Sequence, residues 1–388
     1  MDNYTGVQPN SQIIQGGFMQ FIGVDLHTNK FTCCYRDDGS GQEKKGKKET
    51  VTFDLSGYGI GQFRQTLTPE TYVLVEATIT TFAFVRLIQP YVKQAIVANT
   101  YELKQISLAR KNTDKIDADI LCRILKMQVL SGEQTISPVV VPPEGIQELR
   151  GLFTTYRLYK KQTTQIKNRI HSLAKEKLYG FTQEQIFGKS SRKRIRALES
   201  GSVMSFQINE FFDLLEYYEG RIQCLKDKIE EQAEPYMKEI KILTSMKGVG
   251  IFTAIAIIAD IIKVDRFRNS KAFTSYLRSA PRVASSNTSV SIKGTNKKGR
   301  KLAATLVTQS LTHVLKASPK LNEWYTELTK HKKPGLVRTG LRRRVFAEMY
   351  QMLKKGEYHY GRDAEKHEAK IRQYERSLKK RKNLLKTS

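Results

Sequence analysis

Asp25, Glu76, Asp114 and Asp117 are the residues whose type and spacing best suit chemistry. Asp25 closes the apolar run FMQFIGVD (18–25), and Glu76 closes a second, YVLVE (72–76). Asp114 and Asp117 stand in KNTDKIDADILCRIL, where i,i+3 spacing puts both on one face of the first turns of a helix. A short β-run with an acid at its end, twice, followed by a helical acid pair, predicts four carboxylates gathered at a sheet edge. Hard divalent cations such as Mg²⁺ take carboxylate oxygens, and a two-metal site can clamp both oxygens of a phosphoryl displacement. The bland alternative is four ordinary surface acids, which suits any one of them better than all four together. Asp119, two residues beyond Asp117, reads as a bystander that should tolerate Asn.

The acids need a sheet and a helix to hold them. Residues 1–16 read as a flexible tail, and a domain over 17–135 then reads β-β-β-α-β-α-β-α. Its strands are FMQFIGVDL, KFTCCYRD, ETVTFDL, TYVLVEA and QAIVAN; GIGQFRQTL and TFAFVRLIQPY read as helices. Three strands first, then alternating helix and strand, is the order of the α/β ribonuclease-H-like fold, whose acids gather at the centre of the sheet.

The Pro-rich stretch 136–145 marks a linker. A helical coiled-coil arm over 146–240 follows. Its stripes are Leu149, Phe153, Tyr156, then Tyr159, Thr163, Ile166, Ile170, Leu173, and later Leu215, Tyr218, Ile222, Leu225, Ile229. They suit an antiparallel arm, a dimerisation element or a plain helical core. KSSRKRIR (189–196) reads as a basic turn, either solvated or touching a phosphate backbone. In LTSMKGVGIFTAIAIIADII (243–262) a Gly-Val-Gly turn joins two helices. This resembles a helix-hairpin-helix, although the apolar flank also suits a buried core helix. Residues 270–311 read as helix, Ser-rich loop, basic turn, helix. The tail 356–388 reads as a basic helix with few apolar positions, exposed or ordered by a partner.

The 388 residues carry a net charge of +28. Residues 291–388 hold 26 Lys and Arg against 8 Asp and Glu, so this quarter supplies +18 of it. Such a basic end predicts a polyphosphate partner, nucleic acid before an anionic membrane surface. Lys293, Lys297, Lys298 and Arg300, around two glycines, read as a phosphate-gripping loop, and Arg342, Arg343 and Arg344 as a second cluster. Residues 1–17 are polar, without a positively charged start or apolar core, and no run of about 20 apolar residues occurs, so neither a signal peptide nor a membrane span is expected and a cytoplasmic setting is the default expectation. The four cysteines lack CxxC spacing and read as buried free thiols.

The order GVDLH…VEAT…NTDKIDADIL resembles the signature of the DEDD transposases of the IS one-ten family, recombinases of bacterial insertion sequences related to Piv-type DNA invertases. MKGVGIFTAIAIIADI, FRNSKAFTSYLRSAPRVASSNTSVSIKGTNKKGRKL and HKKPGLVRTGLRRRVFAEMYQMLKK resemble the family's transposase domain, here 241–355. The resemblance implies a RuvC-like domain with Mg²⁺ on Asp25, Glu76, Asp114 and Asp117, and a mostly α-helical C-terminal domain with a nucleophilic serine. APRVASSN places Ser286 at that position, with Ser285 beside it as the alternative and Arg282 as a phosphate-binding neighbour. Asn287 stands where the family usually has Gly, and ITTFAF replaces the glycine-rich stretch usual after Glu-Ala-Thr. The implied partners are donor and target duplex DNA and a noncoding bridge RNA. The heptad-like stripes between the acids and the serine predict an arm that brings a second subunit's acids to this serine, so at least a dimer is expected, or a tetramer because recombination needs four strand exchanges. The rival readings are a metal-dependent nuclease or Holliday-junction resolvase with water as nucleophile, a Piv-like invertase, and a nonenzymatic nucleic-acid-binding protein.

Overall fold

The computed structural model describes residues 19–38, 48–100, 103, 113–176, 182–197 and 201–387, apart from 287–288 and 296–298. The chain divides into two compact units, Met1–Pro142 and Pro143–Ser388.

In the first unit the elements are β1 (Gln20–Leu26), β2 (Lys30–Asp37), β3 (Glu49–Asp54), α1 (Gly57–Arg64), β4 (Thr71–Glu76), α2 (Thr81–Ile88), β5 (Gln94–Ala98) and α3 (Asp114–Ser131). One mixed sheet runs β3-β2-β1-β4-β5, with β1, β2 and β3 antiparallel and β1, β4 and β5 parallel. Period-two alternation sorts the strand side chains onto two faces. Ile22, Val24, Phe31, Cys33, Val73 and Val75 pack with Phe63 of α1 and Phe84, Val85 and Ile88 of α2. Phe21, Cys34, Leu74 and Ile96 pack with Ala118, Leu121, Cys122 and Leu125 of α3. Gly23 lets α3 lie close on β1, since a Cβ there would run into the Ala118 carbonyl and the Cys122 amide. Residues of the expected linker join this unit: the Val139 amide donates to the Val97 carbonyl at 2.8 Å, beside a bridge between Ala98 and Pro138.

The second unit opens with two long helices, α4 (Glu144–Glu176) and α7 (Val203–Gln232), with short α5 (Gln183–Phe187) and α6 (Lys189–Ala197) between them. Gln232 bonds Glu148, Tyr159 packs on Tyr218, and Ile170 shares a cluster with Phe212, so the long helices run antiparallel. Their apolar stripes therefore meet within the chain. The basic segment 189–196 is helix α6, not a turn. Its Arg192 bonds Glu219 at 2.9 Å, and its Arg196 bonds Asp213 at 2.7 Å, because α7 presents a matching acidic face.

The remaining elements are α8 (Met237–Thr244), α9 (Ile251–Ile261), α10 (Ser270–Tyr276), the hairpin β6 (Pro281–Ser286) and β7 (Ser289–Thr295), α11 (Leu302–Ala317), α12 (Pro319–His331), α13 (Pro334–Lys355) and α14 (Ala364–Thr387). The expected Ser-rich loop is thus largely a hairpin, as the β-branched Val283, Val290 and Ile292 favour. The Gly-Val-Gly turn packs inward. Gly248 has φ +90°, and a Cβ on it would meet the Val314 amide of α11 at 2.6 Å. The Lys370 ammonium of α14 closes the same turn on the Val249 carbonyl at 3.1 Å.

The basic tail is docked rather than exposed. His367, Ile371, Tyr374 and Leu378 form a buried stripe at 4,3,4 spacing, and the Tyr374 hydroxyl donates to the Glu230 carbonyl at 2.6 Å. Arg381 bonds Asp227 at 2.6 Å, and Lys382 bonds Glu234 at 2.6 Å. Four aromatic or aliphatic anchors suffice where ion pairs neutralise the flanks. Of the cysteines, Cys33, Cys34 and Cys122 are buried thiols, but Cys224 is exposed.

Asp119 is no bystander. It is buried beneath β2 and takes hydrogen bonds from Arg36 at 2.6 Å and Arg123 Nε at 3.0 Å, with Lys48 at 3.4 Å. Burial pushes its carboxyl up, but Arg123 and Arg36 outweigh burial and hold it well below the ordinary range. A depressed acid lends stability above the unfolded carboxylate pKa and loses it as pH falls towards the folded value. Asp119→Asn is therefore expected to cost about 1–3 kcal/mol in urea unfolding at neutral pH. The gap to wild type should narrow below about pH 4.

Candidate active site

Strand register and helix start bring the four sequence-predicted acids to one face. The parallel pairing of β1 with β4 matches Val24 to Val75, so the next step sets Asp25 beside Glu76. Both are in phase with the strand residues that pack on α3. α3 begins with Thr113 as N-cap, its hydroxyl accepting from the Ile116 amide, and carries Asp114 and Asp117 in its first turn. Those positions suit anions at the positive end of a helix dipole.

One nitrogen joins them. His27 Nε2 lies 2.9 Å from Asp25 Oδ2 and 3.3 Å from Asp114 Oδ1, while Lys30 Nζ lies 2.7 Å from Asp114 Oδ2. The donor atoms of Asp25, His27 and Asp114 all fall within 4.8 Å of one another, and this group could hold a metal ion. Two carboxylate oxygens and an imidazole nitrogen at that separation fit a divalent cation bound at about 2.0–2.6 Å. Glu76 and Asp117 are not in that group. Asp117 is nonetheless coupled to it by charge.

The electrostatics describe crowded acids. Burial pushes the Asp25 carboxyl up; His27 opposes this, and the charges of Asp117 and Asp114 add to the rise. Burial and the Asp114 charge likewise raise Asp117. The hydrogen bond from Lys30 lowers Asp114. A bound cation would relieve the repulsion that raises Asp25 and Asp117. His27 was legible two residues after Asp25, one strand period on, but as a lone histidine it gave no metal-site spacing.

The expected nucleic-acid residues separate into different roles. Ser285 and Ser286 close β6, their backbones paired with Val290 and Ser289. Arg282 lies in β6 and Lys293 in β7, whereas Lys297 and Lys298 fall outside the described residues. Arg300 turns inward: its Nε donates to Asp260 Oδ1 at 2.9 Å, and the other oxygen of that fully buried carboxylate takes the Ala303 amide at 2.9 Å. The Arg300 amide itself donates to the Tyr276 carbonyl at 3.1 Å. Arg342 donates to the Ser279 hydroxyl, the Thr308 hydroxyl and the Arg278 carbonyl, each at 2.9 Å. Arg344 stacks over Trp324 at 4.3 Å, and Arg343 is exposed. Arg300 and Arg342 therefore brace the two ends of the hairpin that carries the serines. Asp260 was hidden in AIAIIADII, where a single acid in an apolar run was itself the signal of a buried, partnered charge.

Two outcomes follow. Removing one crowded acid should not weaken the metal-free fold, because a raised carboxyl loses stability as pH climbs through its folded pKa. Asp25→Asn in chelator should melt no lower than wild type, yet lose the upward shift that Mn²⁺ gives wild type. That shift should shrink in wild type as pH drops towards the carboxylate range, where Asp25 and Asp117 take up protons first. Separately, Arg342→Ala is expected to cost about 1–3 kcal/mol of stability through its lost buried bonds. Arg343→Ala should stay within about 0.5 kcal/mol of wild type and instead flatten the salt dependence of DNA binding.

Among the described residues no helix is long and apolar enough to cross a membrane. No curated protein matches the chain. Residues 240–326, from α8 through the braced hairpin into α12, match the family model described as transposase IS116/IS110/IS902 family. The carboxylate face of the first unit and Arg342–Arg344 lie outside that match. The braced serine hairpin lies within it, so this part of the chain is similar to the IS116/IS110/IS902 transposase family.

Proposed function

We propose that the protein is the recombinase of a bacterial insertion sequence, cutting and rejoining DNA through a phosphoserine intermediate with Mg²⁺ at the Asp25, Glu76, Asp114 and Asp117 face. The observation that carries this reading is the family match across the hairpin bearing Ser285 and Ser286. The acids at the ends of β1 and β4 and the start of α3 support the metal-assisted half of the chemistry. The β3-β2-β1-β4-β5 sheet order supports the RuvC-like, ribonuclease-H-like reading of their domain.

A serine hydroxyl is a weak nucleophile at neutral pH and needs activation. Ser286 Oγ gives up its proton and forms a bond to the scissile phosphorus. The bond from phosphorus to one deoxyribose oxygen breaks, and that oxygen takes up a proton. One phosphodiester replaces another, so the reverse attack by a strand hydroxyl rejoins DNA without a further energy source. Asp25, Glu76, Asp114 and Asp117 would hold a divalent cation, and that cation would supply charge neutralisation for phosphate oxygens. The phosphate-binding candidates are Arg282 and Lys293 of the hairpin, Lys297 and Lys298 later in the sequence, and Arg343 on α13. Arg300 and Arg342 act by positioning.

The partners in this reading are donor and target duplex DNA and a noncoding bridge RNA, with the protein assembled as a dimer or tetramer. The basic C-terminal quarter supports a polyanion partner, and guide pairing would supply the sequence choice that backbone contacts lack.

Incubation with its DNA substrate and Mg²⁺ should give a covalent protein–DNA adduct. Mass spectrometry should map it to Ser286, or to Ser285 with the mechanism unchanged. Ser286→Ala and Asp117→Asn should each stay folded, bind DNA and cut none. Cut strands with free ends and no adduct would favour the water-using nuclease.

A further inference from the structure

The loop between α13 and α14 carries Tyr358, His359 and Tyr360 in a row, and neither the acid face nor the hairpin uses them. Its order comes from buried partners. The His359 amide donates to the buried Ser245 hydroxyl at 2.8 Å. The His359 ring is fixed at both nitrogens: Nδ1 accepts from the Gly361 amide at 3.1 Å, and Nε2 lies 3.3 Å from Glu348 Oε2. Tyr360 packs on this ring with centroids 4.3 Å apart and planes 34° apart, yet the residue is 86% exposed. Tyr358 is held edge-on to His367 with Arg362 4.4 Å over its ring, and it is also exposed.

A tyrosine backed by a pinned imidazole, with its outer surface in water, is an aromatic platform whose ordering cost has already been met. Depressions flank it. One of about 370 Å³ is lined by Ser270, Glu348, Gln351, Lys355, Tyr358 and Tyr360. That is within the size range of small-molecule sites. A smaller one of about 70 Å³ lies against Lys247, Ser318 and Tyr360. Lys247 and Lys355 are exposed at the rims and suit a phosphate. Glu348 and Gln351 can accept hydrogen bonds from the edge of a base. Aromatic faces interleaved with cations and edge-reading polar groups are how proteins hold unstacked nucleotides.

We infer that Tyr360, with Tyr358 and the rim lysines, is a stacking site for an unpaired nucleobase of single-stranded nucleic acid. This rests on the nucleic-acid reading above. The base can come from a displaced DNA strand or from an unpaired stretch of RNA, since both offer the same π-face and phosphate.

The test uses the full-length protein and a single-stranded DNA oligonucleotide bearing one 2-aminopurine, with the matching RNA and the duplex as further arms. Wild type should change 2-aminopurine emission on the single strands and leave it nearly unchanged in the duplex. Tyr360→Ala should melt as wild type does, lose the emission change and bind single strands roughly 5- to 100-fold more weakly. Tyr360→Trp should restore both. Tighter binding of the RNA arm would assign the base to RNA, and of the DNA arm to a displaced strand. If Tyr360→Ala binds single strands as well as wild type does and keeps the emission change, the stacking site is wrong while the nucleic-acid reading stands. If wild type binds none of the three at low salt, the nucleic-acid reading fails and this inference with it.

Discussion

The close contact of α3 with β1 at Gly23 is the constraint on which the acid face depends. No side chain stands between the strand and the Ala118 and Cys122 backbone. The helix therefore starts within reach of the β1 strand end, and its first turn delivers Asp114 to Asp25 and His27. Asp119 locks the same helix from the other side through Arg36 on β2. Two acids two residues apart thus do opposite work. Asp117 is pushed up by burial and a like charge, whereas Asp119 is pulled down by paired arginines. Crowding of the first kind is a cost that a catalytic or binding site can use; pairing of the second kind is structural.

The second unit solves a similar positioning problem with arginines. The hairpin β6–β7 stands on a short connection after α10 and returns at Arg300. One end is tied through Arg300 to Asp260, the other through Arg342 to Ser279 and the Arg278 carbonyl. Arg150 adds to the same corner by donating to the Ala259 carbonyl at 2.7 Å, with burial lowering its pKa to about 10. Partly buried guanidiniums can do this because each spends donors on carbonyl, hydroxyl or carboxylate oxygens.

Much of the fold was legible because local pattern and tertiary packing agreed. The strand runs FIGVDL and YVLVE, the Thr113 cap and the stripes of α4 and α7 each carried their own signal. What was hidden was partner identity. KSSRKRIR looked like a free basic turn because the acids that neutralise it, Asp213, Glu216 and Glu219, lie on another helix. The tail looked unanchored because four buried positions among many charges make a thin stripe, and its ion partners are about 150 positions upstream. Arg300 and Arg342 looked like phosphate ligands because a cation's sequence neighbours do not say whether it faces water or a buried carbonyl. In the candidate site the acids stood out by placement at element ends. His27 and Asp260 did not, since each needs a through-space neighbour to acquire meaning.

The claim that the ends of β1 and β4 and the start of α3 form one divalent-cation site is open to a direct mapping. Fe²⁺ put in place of Mg²⁺, with ascorbate and peroxide, cuts the backbone only near the bound ion. Cuts clustered around residues 25–27, 76 and 114–117, suppressed by excess Mg²⁺, are the predicted result. Cuts elsewhere, or none while Mg²⁺-dependent strand cleavage persists, would contradict it.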